Sequence, residues 1–134
     1  MAESRTLAPG HAVGPALVLE APLSLWGGID PTTGRVVDVH HPQHGSIVTA
    51  TVLVMPAGRG SSSSSTVLAE AIRLGTAPAA IVLREPDAIV ALGAIVAREL
   101  YGVQMPVVVG DAPIEDGAPV EVSADDDGAT VVVA

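Results

Sequence analysis

One continuous stretch limits the fold more than any other. SIVTATVLVM (Ser46–Met55) is long, β-branched and closed by Pro56, the signature of a buried strand. A Gly-Arg-Gly turn (Gly58–Gly60) and five serines (Ser61–Ser65) follow it. Without a gap, Thr66–Leu74 then places Val67, Leu68, Ala71, Ile72 and Leu74 on one helical face. Gly75 is a fitting stop for that helix. A serine tract of this kind would read elsewhere as a flexible linker. Here it joins a strand directly to a helix, where loops run to about 2–6 residues. Several serines must therefore lie in the loop or the first helical turn.

The pattern repeats downstream. Ala79–Leu83 reads as a buried strand and Asp87–Tyr101 as a second helix ended by Gly102. Pro106–Gly110 reads as another buried strand, and Val120–Ser123 with Thr130–Val133 as a pair around the turn ADDDG. Upstream, Ala16–Glu20 and Arg35–Val39 read as short strands separated by the turn-dense Pro22–Gly34. Residues 1–14 read as a tail or an entry strand of low regularity, with residues 1–10 expected to be a flexible tail. Strands alternating with helices imply a partly parallel sheet. The expectation is one α/β domain over residues 1–134, of β/β/α architecture with two main helices. The strand-rich first half would supply a second, antiparallel layer. The apolar 49% of the chain is mostly Ala, Val, Leu and Ile, with no Phe, which suits a sheet covered by helices.

Charge narrows the partners. Six Lys plus Arg stand against fifteen Asp plus Glu, a net −9. Broad phosphate neutralisation, and hence nucleic-acid binding, is excluded, and an anionic membrane surface is disfavoured. No run approaches the ~18 continuous apolar residues of a membrane span. No signal peptide opens the sequence, so a cytoplasmic protein is expected. The absence of cysteine excludes disulfides and thiolate ligation of zinc or an iron–sulfur cluster by this chain.

Chemistry concentrates at the serine tract. A glycine turn feeding a helix N-terminus aims free amides at one point, where the helix dipole adds partial positive charge. Arg59 is the full positive charge beside it, with a fork suited to carboxylates. Such a spot binds an anion or stabilises a serine alkoxide; one serine simply capping the helix is the plainer alternative. The second glycine and lysine of a phosphate-binding P-loop are missing. His40, His41 and His44 lie in a loop without tetrahedral spacing and read as a surface cluster rather than a metal site. Trp26, before Gly27-Gly28, either caps the core edge or meets a ligand or partner. Asp125–Asp127 lack calcium-loop spacing and read as a solvated turn.

Two stretches together, SLWGGIDPTTGRVVDVHHPQHG and VLVMPAGRGSSSSSTVLAEAIRLGTAPAAIVL, resemble the swivel domain of the aconitase X family over about residues 10–110. The resemblance implies a hydro-lyase with a large catalytic part and a small swivelling β/β/α domain, on one chain or two. A chain of this size resembles the separate small subunit, partnered as a heterodimer by a large subunit that holds an iron or iron–sulfur group; no cofactor is expected here. By the resemblance Ser61, directly after Gly60, is the general base, with Ser62 as the runner-up. Arg59, Gly60, Ser63, Trp26 and Gly27 would contact substrate. The wider superfamily's arginine after the serine pair is replaced here by Ser63, so Arg59 takes the anion-binding role. The substrates implied are small hydroxy carboxylates: cis-3-hydroxy-L-proline, favoured by the Ala-rich, Lys-free composition, or a phosphorylated mevalonate. A non-catalytic module that binds an anion or a partner through the same helix end is the alternative of a different class. A phosphohistidine carrier is a weaker one, since no histidine opens a helix.

Overall fold

The structure, a computed structural model, describes residues 4–58 and 62–133. Seven strands close into one barrel, in the order β1 (Ser4–Ala8), β7 (Val107–Gly110), β6 (Ala80–Leu83), β5 (Val52–Met55), β2 (Gly10–Val18), β8 (Pro119–Asp125), β9 (Gly128–Val133). Strands β2, β5, β6 and β7 run parallel, and β1, β8 and β9 pair antiparallel. The barrel closes where Ser4 of β1 meets Ala129 of β9. Helices α2 (Ser63–Leu74) and α3 (Ala88–Tyr101) are the crossovers from β5 to β6 and from β6 to β7. Gly75 and Gly102 end them in the left-handed conformation expected at those positions.

The two faces of each central strand are both buried, which is why these strands read as unbroken apolar runs. Leu53, Met55, Ile81, Leu83 and Val107 pack with Leu68, Ile72, Val90 and Ala94 of the helices. Their neighbours Val52, Val54, Ala80, Val82 and Val108 turn the other way, into the barrel with Ala16, Val120 and Val122. The barrel interior is therefore built of Ala and Val, whereas the helix-facing layer takes Leu, Ile and Met.

The partly parallel sheet and the two helices stand as expected; several local expectations do not. The expected tail, residues 1–10, contributes β1 and the start of β2, because β7 and β9 offer hydrogen-bonding edges that only closure supplies. The antiparallel strands belong to the same barrel and come from both chain ends, rather than forming a separate layer from the first half. Residues 46–51, expected as strand, form a loop: Val48 N donates to Gly34 O (2.8 Å) and Ala50 has φ 61°. Only Arg35–Val36 of the expected Arg35–Val39 strand pairs, as β4, against β3 (Ile29–Asp30).

Residues 19–51 are thus mostly loop, yet they are pinned by polar contacts. Thr49 Oγ1 donates to Thr76 O (2.7 Å), and Thr76 Oγ1 donates to Pro31 O (2.5 Å). Buried Leu23, Leu25, Ile29, Val36 and Val48 roll this segment onto the helix-facing core.

Candidate functional site

The carboxyl end of β5 leads into the serine tract, and two loops grip the chain there. Gly58 makes a parallel bridge with Leu23 on one side. On the other side, a Cβ on Gly58 would clash with the Asp87 carboxyl group, so a larger residue here would have to push Asp87 aside. Asp87 is itself fixed: Oδ1 accepts from Ile89 N (2.8 Å) and Val90 N (3.1 Å), capping α3. Arg59, Gly60 and Ser61, the expected anion-binding group, turn and base, lie outside the described residues.

The described serines divide their work. Ser62 is exposed, has helical angles (φ −56°, ψ −22°), and its hydroxyl caps no helix amide. The capping role expected of one serine is therefore absent at this position, since a residue already in helical conformation cannot swing its hydroxyl onto the amides ahead. Ser65 Oγ donates to Ser62 O (2.8 Å). Ser63 is exposed. Ser64 is buried and its Oγ accepts from Trp26 N (3.2 Å). That contact ties α2 to α1 (Leu25–Gly28), a single turn broken at Trp26 and continued by Gly27 with φ 78°. Ser24 Oγ donates to Trp26 O (2.9 Å), fixing the peptide on the other side of the same residue. Trp26 is thus tied to Ser64, with Gly27 next to it in the chain and the indole 58% exposed.

Sequence reasoning missed Ser64 as a fastener and Asp87 as a wall. For Asp87 a signal existed: it precedes the apolar period of α3 in the capping position. For Ser64 none did, because a homopolymer carries no register. It also missed Arg84, the first residue past β6, whose Nη1 donates to Gly110 O (2.8 Å). Arg84 lines a groove of about 860 Å³ with Arg5, Asp111, Asp126 and Asp127.

The histidine loop is corrected in part. His40 and His44 are exposed, but His41 is buried. Its Nε2 donates to Ala21 O (3.0 Å) and its Nδ1 accepts from Gln43 N (3.0 Å). The ring takes the place of a strand pair in holding two loops together. At the ADDDG turn, Asp125 Oδ1 accepts from Asp127 N (2.8 Å) and Gly128 N (3.1 Å), as a tight turn requires.

Residues 1–132 match the family described as the aconitase X swivel domain. The chain belongs to that family. A cis-3-hydroxy-L-proline dehydratase of Pseudomonas aeruginosa is 52% identical over 103 residues, which is 77% of this swivel domain and 18% of that enzyme. The chain thus spans less than a fifth of that relative's length. A phosphomevalonate dehydratase small subunit of Methanothermobacter thermautotrophicus is 40% identical over 131 residues, covering 92% of this chain and 94% of that one. The holo-form crystal structure of Thermococcus kodakaraensis aconitase X superposes with a TM-score of 0.88 at 34% identity, covering 99% and 97% of the two chains.

An iron or iron–sulfur group, implied by the family, does not fit the donors of this swivel domain. It has no cysteine, and among the described residues no three His, Asp or Glu side chains gather as a metal site. No helix among the described residues is long and apolar enough to cross a membrane.

Proposed function

We propose that this swivel domain is the small subunit of a hydro-lyase that dehydrates a small hydroxy carboxylate, with cis-3-hydroxy-L-proline as the substrate. The observation that carries the reading is the exposed start of α2 at Ser62 and Ser63, tied to the Leu23–Gly27 turn through Ser64 and preceded by Gly58, which Leu23 and Asp87 enclose. The higher identity to the hydroxyproline enzyme supports the substrate. Phosphomevalonate is the second reading, favoured by the match in length to a separate small subunit.

On this reading Ser61 is the general base and Ser62 its runner-up. The base takes the proton from the carbon beside the one that bears the hydroxyl. The C–H electron pair becomes the new double bond, and hydroxide departs. A serine hydroxyl is far too weak a base in water, so its alkoxide must be held by the amides at the start of α2 and by Arg59. Arg59 and Gly60 receive the substrate's carboxylate, and Ser63, Trp26 and Gly27 line the same pocket. The large subunit completes a heterodimer and carries the iron or iron–sulfur group; no step of this chain runs through it. The two subunits purified together are expected to convert cis-3-hydroxy-L-proline to its dehydrated product. Turnover of phosphomevalonate alone selects the second reading, and turnover of neither acid refutes both.

A further inference from the structure

Beside the serine helix the molecule exposes apolar side chains on loops that are unusually well fastened. Trp26 is 58% exposed and Val39 70%, with Val37 and Ile47 also exposed. The segments adjoin: Val37 N donates to Gly28 O (2.8 Å), two residues from the indole, and Ile47 pairs with Arg35, two residues before Val37. Four buried or part-buried contacts hold these loops still, through His41, Thr49, Thr76 and Ser64. A surface ordered in advance loses little entropy when it docks, and Trp is the residue most enriched among binding anchors.

We infer that Trp26, Val37 and Val39 form the face on which this swivel domain docks its large subunit. The inference rests on the proposed function and names the surface that function needs. The relatives supply the occupant: in the Pseudomonas enzyme the matching region is 18% of one chain, so most of that enzyme lies outside it. The face adjoins the start of α2, where a partner must come to complete a site that this chain leaves open to solvent. A net charge of −9 calls for a partner surface with an apolar pocket for the indole and a basic rim. Another exposed apolar pair, Val13 and Val132, aligns across Glu121 on the antiparallel strands β2, β8 and β9 and is the control.

Affinity for the separately purified large subunit, measured by titration calorimetry, tests this. Trp26→Ala is expected to weaken binding ~30-fold and Val39→Asp at least ~10-fold, with unfolding midpoints unchanged because both side chains are exposed. Val132→Asp is expected to bind as wild type does. Wild-type affinity in both Trp26→Ala and Val39→Asp overturns the inference, as does an equal loss in Val132→Asp. So does a wild-type chain that pairs with itself through Trp26. Binding is read apart from turnover: a tight wild-type complex that dehydrates neither acid refutes the proposed function, while these variants still decide the docking face.

Discussion

The two faces of the central sheet bury their side chains equally well but with different residues. Toward the helices stand Leu53, Met55, Ile81 and Leu83; into the barrel stand Val52, Val54, Ala80 and Val82. A seven-stranded barrel has room only for small side chains, while helices laid on a sheet leave gaps that larger ones fill. The difference teaches that alternation along one strand encodes size here rather than polarity.

Substitutions on the two faces should therefore fail in opposite ways. Leu83→Ala, on the helix side, is expected to cost about 2–5 kcal/mol in chemical denaturation, through lost burial and a cavity. Val82→Leu, its neighbour on the barrel side, is expected to cost about 1–3 kcal/mol by overpacking. A neutral Val82→Leu would show that the interior holds spare volume and would break the comparison. Asp87→Ala removes the α3 cap and is expected to cost ~1 kcal/mol, whereas Asp87→Asn, which caps equally well, should stay close to wild type. The smallest effect belongs to the solvent-facing side of α2. There Arg73 donates to Glu70 and holds its carboxyl below the usual carboxylate range. That contribution is present above the carboxylate range and is lost as pH falls through the lowered value. Glu70→Gln should accordingly flatten the acid limb of a stability–pH curve by slightly lowering the plateau above the carboxylate range, leaving stability below the lowered value unchanged.

The same size code explains what was legible. β5, α2, β6, α3 and β7 announced themselves because both strand faces are apolar and the helices keep a 3.6 period. Ser46–Thr51 carries the same residue types but is bent into a loop by Thr49 reaching Thr76 and by Val48 bonding to Gly34, contacts made by residues distant in sequence. Ser4–Ala8 shows too little regularity to separate a tail from an entry strand, and it is β7 and β9 that provide its edges. The order of a turn, serines and a helix start was legible, and the structure ties Trp26 to that helix through Ser64. The burial of Ser64 was not, because only the Trp26 amide distinguishes it from its neighbours.

That asymmetry among the serines leads to the central claim, that a hydroxyl at the entrance to α2 removes the substrate's proton. Single-turnover dehydration by the assembled two-subunit enzyme tests it most directly, comparing Ser61→Ala and Ser62→Ala with Ser65→Ala as the structural control. The account predicts that Ser61→Ala, or failing that Ser62→Ala, lowers the rate on the order of 10²–10⁴-fold while Ser65→Ala stays near wild type. Near-full rates in both Ser61→Ala and Ser62→Ala would contradict it.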